Sequence, residues 1–486
     1  MPSFSNLTHM AAQQESRIRD EAFPVAVLDD RRFRNLLPDA DEAEGRADGG
    51  ERRGRGEGGG TGGTLGSGEE TGVEGGELGS EIGARDATRV ERRLALPLEE
   101  AFLGAGLALK DEVVHATWQH RRPPRGSKTD PFLYTGLLGT AFVCLRAFHV
   151  TRSSADLDLA ADITRAAAEL AERQHRVYYS FFCGQPGIFA LGAVVAHLQR
   201  RQHDSEKFLR RFLDLVTEAL PALSQRPSST NDIAPAGIPY ELLYGRAGLL
   251  WAALFIRQHL GRAAVPDSRY WGAAHGLAGI AHTLLLGAGH MGQVGQVGRV
   301  GEVAAAEAEE GAGEEGREAA EEGGGEAVAV LEWMVGGRLP SGNYPSSDEK
   351  RLAAAGSHPS RQHLLAAAVA AGEVAWQRGL LRKMGLCHGI AGNAYAFLSL
   401  HRAASALHAT SLQETTTSAL PPPSTHLHRA HAFAAFLLAH RQRLAHAALL
   451  HCGDRPFSLM EGLGGVACLF LHLVRPEDAR FPGFEL

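Results

Sequence analysis

Apolar residues recur every three to four positions along most of the chain. Long segments rich in Ala, Leu and His carry this spacing, among them LDLAADITRAAAELAERQH, LLAAAVAAGEVAWQRGLL and HAFAAFLLAHRQRLAHAALL. Such a period places the apolar side chains on one face of a helix. No segment shows the sustained alternation of apolar and polar residues that is typical of a half-buried strand. The pattern therefore predicts an all-α fold.

Two stretches interrupt the helical pattern and contain almost no large apolar residues. They are residues 41–92 and 288–326, both rich in Gly and Glu. Burial in such stretches cannot offset the entropy lost on ordering, so both are predicted to be disordered inserts. We therefore expect an N-terminal segment at 1–40, then the first insert, then a helical domain at 93–486 that carries the second insert.

A short frame, Gly-x-x-Gly, opens an apolar helix at six places in the helical domain. The copies are YTGLLGTAFVCL, FCGQPGIFALGAVV, YGRAGLLWAALFI, AHGLAGIAHTLLL, CHGIAGNAYAFLSL and MEGLGGVACLFLHL. Glycine permits positive φ and close backbone approach, so each frame is expected to turn sharply into its helix. A ring of such helices would collect the residues before the first Gly at one end. These residues are Thr135, Cys183, Tyr244, His275, His388 and Glu461.

Charge and cysteine content narrow the function classes. The net charge of −7 provides no basic field for a phosphate backbone, so a nucleic-acid partner is not expected. The five cysteines lack the regular spacing of a disulfide framework, which favours a reducing compartment. The N-terminus has no apolar signal region, and no apolar run reaches the length of a membrane span. We predict a cytoplasmic protein without a transmembrane segment, and leave peripheral membrane contact open.

Cys387 and His388 lie side by side in MGLCHGIAGNAYAF, at the start of one of these helices. One interpretation is a small buried thiol beside a partly buried ring, because unpaired cysteines are often buried. The other is a pair of ligands to one zinc ion, completed by a residue from elsewhere in the chain. The stretch alone leaves both open. Glu461, at the same frame position in the last copy, is expected to hydrogen-bond backbone amides at a helix start.

The series of motifs resembles the eukaryotic lanthionine synthetase C-like (LanC-like) family. The matching motifs are AAHGLAGI, ELLYGRAG, PSGNYP, WQRGLL, CHGIAGNAYAF, PFSLMEGLGG and the terminus ARFPGFEL. The resemblance implies an (α/α) toroid of seven helical hairpins, a zinc ion held by two Cys and one His, and glutathione as the thiol substrate.

Carried over by motif, the resemblance assigns roles to five residues. Cys387 and His388 match two zinc ligands. His275 matches a histidine that handles a proton, although a histidine that buttresses the Gly turn is the alternative. Lys383 and Asp454 lie close to glutathione-contacting positions.

This chain departs from the family where the third zinc ligand is expected, in a Trp-Cys-His-Gly motif that the sequence lacks. Gly245 and Gly276 are also only 31 residues apart, which leaves no room for an outer helix between their frames. Both gaps are consistent with skipped coding segments, from alternative splicing or a mistaken gene model. Two zinc ligands alone bind the metal weakly.

Three functions follow as hypotheses. The first is zinc-dependent addition of glutathione to dehydroamino acids in peptides or proteins, which forms a C–S bond. The second is a catalytically inactive LanC-like scaffold or glutathione-binding protein, because the third ligand segment is missing. The third is a carbohydrate-active toroid, which needs two matched carboxylates. Only Glu461 and Glu241 occupy suitable places, so this function ranks last.

Overall fold

The computed structural model describes residues 26–27, 31–35, 37, 39, 98–120, 129–174, 178–223, 238–239, 241–261, 361–410 and 421–485. The predicted inserts at 41–92 and 288–326 and the candidate residue His275 lie outside the described residues. The fold below is that of the described part of the chain.

Ten α-helices make up most of the described chain. They are α1 (98–114), α2 (Leu137–Thr151), α3 (Ser154–Glu172), α4 (Gln185–Leu198), α5 (Gln202–Leu223), α6 (Arg246–Leu260), α7 (Arg361–Arg378), α8 (Ile390–Thr410), α9 (Pro423–His446) and α10 (Leu463–His472). A π-helical turn at His115–Gln119 follows α1, and a 3-10 turn lies at Pro476–Asp478. Two short strands, β1 (Ala26–Val27) and β2 (Phe33–Arg34), pair antiparallel. The prediction of an all-α fold is confirmed.

The five helices that follow a Gly-x-x-Gly frame pack side by side. Helix α6 contacts α4, α4 contacts α2, α2 contacts α10, and α10 contacts α8. These helices are apolar on nearly every side: α10 is buried along its whole length, and α4 from Gln185 to Ala196. Helices without a polar face belong in a protein interior. The arc of inner helices is the arrangement expected of a helical toroid.

The remaining helices cover this arc from outside. Helix α3 packs against α2 and α4, α5 against α4, and both α7 and α9 against α8. Exposed and buried positions alternate in α3 and in the first part of α5, as in an amphipathic surface helix, whereas α9 is buried from Ala432 to Leu438. Helices α2 and α3, α4 and α5, and α8 and α9 are therefore sequential pairs of one inner and one outer helix.

Each described frame is a closed turn in which the chain passes very near itself. The first Gly has an extended backbone, with φ of −108° at Gly136 and −136° at Gly184, so the expected positive φ is wrong. Glycine is required at these positions because a backbone carbonyl lies too close to leave room for a Cβ. A Cβ on Gly136 would lie 2.3 Å from the carbonyl oxygen of Asp130, and one on Gly187 would lie 1.9 Å from that of Phe181.

One hydrogen bond recurs in all five described turns. The first amide of each inner helix donates to the carbonyl seven residues earlier. The pairs are Leu137 to Asp130 at 3.0 Å, Gln185 to Tyr178 at 3.2 Å, Arg246 to Pro239 at 2.8 Å, Ile390 to Lys383 at 2.9 Å and Leu463 to Pro456 at 2.8 Å. The bond satisfies an amide that a helix start would otherwise leave unpaired. The same local geometry therefore begins each inner helix.

The described residues 31–35, 37 and 39, which we call the N-terminal arm, pack on the helical domain. The Phe33 amide donates to the Leu380 carbonyl at 2.7 Å, and the Phe33 side chain is fully buried. Asp39 accepts two hydrogen bonds from the Arg429 guanidinium, at 2.6 and 3.1 Å. The arm thereby holds the extended segment at 380–384, which leads directly to Cys387.

A search of the described helices finds none long and apolar enough to cross a membrane.

Candidate functional site

The five described helix starts meet at one end of the arc, as the sequence predicts. Backbone hydrogen bonds link each turn to the next. In each bond a backbone amide donates to a backbone carbonyl. The pairs are Phe181 to Gly248 at 3.1 Å, Tyr134 to Phe182 at 3.1 Å, Met460 to Tyr134 at 3.2 Å and Cys387 to Met460 at 2.9 Å. Because these bonds join neighbouring turns, the residues before each first Gly share one opening. We call this opening the mouth.

Cys387 and His388 occupy the mouth at the start of α8. The Cys387 Sγ lies 3.9 Å from the His388 Nε2; the cysteine is half-buried and the histidine exposed. Zinc binds sulfur at about 2.3 Å and imidazole nitrogen at about 2.0 Å, so two such atoms can reach one ion. Among the described residues, however, no group of three His, Cys, Asp or Glu could hold a metal. The described part of the chain therefore offers two candidate ligands where a zinc site needs at least three.

Tyr134 joins the Cys387 thiol at the mouth, which the sequence did not indicate. The two side chains form a hydrogen bond. Burial first, and then this bond, raise the pKa of Tyr134 well above its usual range, so the phenol stays neutral and can donate. Tyr134 lies one residue before the frame position at Thr135, and nothing in the frame singles it out.

The pKa of Cys387 is raised by burial, the largest effect, and the nearby Glu461 carboxylate acts in the same direction. The hydrogen bond from Tyr134 opposes both, because it stabilises the thiolate. The thiol is therefore protonated near neutral pH when no cation is beside it.

A second thiol lies at the neighbouring turn. Cys183 is half-buried and forms a hydrogen bond with Tyr244, the one exposed large apolar side chain among the described residues. Burial, with the charge of Asp130, raises the pKa of Cys183 to about 12. Thr135 donates its hydroxyl to Asp130, so both of these groups are satisfied within their own turn. This side of the mouth is polar and holds a protonated thiol.

The remaining candidates lie around the rim. Lys383 and Asp454 are both exposed, and Lys383 forms a parallel bridge with His451 in the segment that leads to Asp454. Glu461 accepts a hydrogen bond from the Arg455 amide at 3.1 Å. Its carboxylate thus holds the turn before α10, which agrees with a structural role, although the amide belongs to the preceding loop rather than to the helix.

Comparison with known proteins gives the family. The sequence model of the lanthionine synthetase C-like protein family matches residues 127–268 and 351–486. The chain is 34% identical to LanC-like protein GCL1 of Arabidopsis thaliana over 449 residues, covering 81% of this chain and 90% of that relative. It is 28% identical to Glutathione S-transferase LANCL1 of Danio rerio over 408 residues, covering 73% of this chain and 84% of that relative. The chain therefore belongs to the LanC-like family.

Proposed function

We propose that this protein adds the thiol of glutathione to dehydroamino acid residues in peptides or proteins, forming a C–S bond. Support comes from its family and from a relative that is named a glutathione S-transferase. The observation that carries the proposal is the mouth, where five helix starts bring Cys387 and His388 to one opening beside a neutral phenol. A substrate thiol and its acceptor could meet there.

The reaction is the addition of S–H across a carbon–carbon double bond. The glutathione sulfur forms a bond with the β-carbon of dehydroalanine or dehydrobutyrine while the π electrons move towards the carbonyl. The enolate then takes a proton at its α-carbon, and the thiol proton is released in exchange. We assign the proton delivery to His275, because a histidine side chain can act as a general acid.

Glutathione carries two carboxylates and one ammonium group, which the rim residues can match. The exposed ammonium of Lys383 is suited to a carboxylate, and the exposed carboxylate of Asp454 to the ammonium group. Lys383 is held in place because its carbonyl accepts the Ile390 amide at 2.9 Å. We propose that this pair orients the tripeptide so that its sulfur faces Cys387 and His388.

Cys387 and His388 are our proposed zinc ligands, with the third ligand unassigned. A zinc ion there would favour the thiolate form of a bound thiol. Since the described residues form an incomplete ligand set, the assignment needs a direct measurement. We expect purified protein to contain zinc that is lost in Cys387→Ala and kept in Cys452→Ala. Cys452 is a matched control because it is also half-buried but contacts the buried Met384 sulfur at 3.4 Å.

Activity is tested by mass spectrometry of a dehydroalanine peptide incubated with glutathione and the full chain. The expected result is a glutathione adduct that forms faster than without protein. The adduct should fall to background with Cys387→Ala and persist with Cys452→Ala. Folded protein that binds glutathione but forms no adduct would overturn the transferase proposal and establish the alternative, a glutathione-binding protein without catalysis.

A further inference from the structure

A polar cluster lies among the inner helices, beyond their first turns; its tyrosine and histidine are buried, and its two arginines are half-buried. It consists of Arg146 on α2, Tyr395 and Arg402 on α8 and His472 on α10, which we call the floor cluster. Arg146 and His472 are each nine residues past the start of their helices, or about 14 Å along the axis at 1.5 Å per residue. Because α10 packs against both α2 and α8, these side chains belong to adjoining helices.

Hydrogen bonds fix the inner part of the cluster. The Tyr395 hydroxyl lies 2.5 Å from the His472 Nδ1, and both side chains are buried. Arg402 pairs with the Glu485 carboxylate at 2.7 Å, and that carboxylate also accepts from the Phe481 amide at 2.8 Å. The Glu485 carboxylate thus accepts from Arg402, from the C-terminal turn and from the Ser399 hydroxyl, the last at 2.7 Å.

Three nitrogen atoms of the floor cluster are buried without a hydrogen-bond partner. They are the Nε of Arg146, the Nη1 of Arg402 and the Nε2 of His472. In the tautomer in which Tyr395 donates to Nδ1, the neutral His472 ring carries its hydrogen on Nε2, and all three atoms are then donors. An unmade hydrogen bond at a buried donor is costly, and one to a charged group more so.

The cluster also has an excess of positive charge. Within the described residues, the Arg146 guanidinium forms no ion pair; it lies over the Phe142 ring, 4.9 Å from its centre. Burial, and then the charges of Arg146 and Arg402 among others, lower the pKa of His472 well below its usual value. His472 therefore lies near the charges of both arginines, and among the described ion pairs only Arg402 has a carboxylate partner, Glu485.

We propose that a small inorganic anion such as chloride binds in the floor cluster, beside the Nε2 of His472 and the guanidinium groups of Arg146 and Arg402. An anion accepts hydrogen bonds from all three donors and supplies the missing negative charge. A water molecule could accept from two of them but would bring its own hydrogens and no charge. This site is separate from the mouth, and it does not depend on the proposed transferase activity.

The test is thermal unfolding of the full chain in sodium chloride and in sodium gluconate of equal ionic strength. An ion that binds only the folded state stabilises it in a saturable way. Chloride at about ten times its dissociation constant should raise the melting temperature by roughly 2 to 4 °C over gluconate. Arg146→Gln should abolish this difference. Arg152→Gln is the matched control, because Arg152 is exposed and lies over the neighbouring Phe148 ring.

Equal melting temperatures in the two salts would overturn the proposal, as would a chloride effect that Arg146→Gln leaves intact. If Arg146→Gln fails to fold, chloride NMR on the wild-type protein decides the matter. A bound ion broadens the chloride signal, and bromide should reverse the broadening by competition. A chloride linewidth that bromide does not change would reject the site.

Discussion

The closed Gly-x-x-Gly turn makes Gly187→Ala a sharp test of how the inner helices begin. A Cβ at this position would lie 1.9 Å from the Phe181 carbonyl oxygen and 2.7 Å from its carbon. Both atoms belong to the backbone, so no side chain can rotate away to make room. The turn must open by more than 1 Å to reach an ordinary contact of roughly 3.4 Å.

The expected loss follows from the hydrogen bonds that depend on this turn. The Gly187 amide donates to Ser180 within the turn, the Phe181 amide donates to Gly248, and the Phe182 carbonyl accepts from the neighbouring turn. Each such bond contributes about 1 kcal/mol net, so the bonds together represent about 3 kcal/mol. Alanine regains up to about 1 kcal/mol through its helix propensity. We therefore expect Gly187→Ala to lower the free energy of unfolding by about 2 to 3 kcal/mol.

Urea unfolding followed by tryptophan fluorescence suits this measurement, because Trp251 packs against the Phe181 ring with 4.2 Å between ring centres. Gly372→Ala in α7 is the matched control. The Cβ there would meet one flexible atom, the Leu400 Cδ1 at 2.5 Å, with no other atom nearer than 4.0 Å. This variant should be neutral or slightly more stable. If the two variants differ by less than about 0.5 kcal/mol, close approach is not what the frame requires.

Three further predictions concern stability. Burial lowers the pKa of His431 to about 4, below the value of about 6.5 in an unfolded chain, so the unfolded state binds more protons. The free energy of unfolding should thus fall by up to about 3 kcal/mol as the pH drops from 6.5 to 4. The urea midpoint should fall less steeply over this pH range in His431→Phe than in the wild-type protein. Asp156→Asn should cost about 2 kcal/mol in urea unfolding, because the buried Lys110 ammonium loses the buried carboxylate at 2.7 Å and keeps only the exposed carboxylate of Asp111; replacing Lys110 and Asp156 by apolar residues should recover most of the loss. Asp39→Asn should free the N-terminal arm from Arg429 and speed its cleavage in limited proteolysis.

Much of the inner architecture could be predicted from the sequence because each frame repeats the same local requirement. Two glycines three residues apart, followed by an apolar run, specify a tight turn and a buried helix. Gly136 has a negative φ, contrary to the prediction, and the nearby Asp130 carbonyl is what excludes a side chain there. Local sequence shows that a glycine is needed, but not which contact needs it.

Contacts between distant segments could not be predicted. The N-terminal arm reaches the segment at 380–384 through backbone hydrogen bonds, which any residue type can form and which leave no pattern in the side chains. Tyr134 meets Cys387 only because two turns on different helices adjoin. Tyr395 and His472 each lie within an apolar run, so sequence alone favours ordinary core residues over a polar pair.

Protection of Cys387 from alkylation tests the central claim most directly. The mouth is proposed to hold glutathione between Lys383 and the Cys387 thiol, so a bound ligand should cover that thiol. S-methylglutathione, which cannot itself react with the alkylating reagent, should slow labelling of Cys387 as followed by peptide mass spectrometry. The protection should disappear in Lys383→Ala and remain in Lys207→Ala, an exposed lysine on α5. Labelling of Cys387 at the same rate with and without S-methylglutathione would contradict the account.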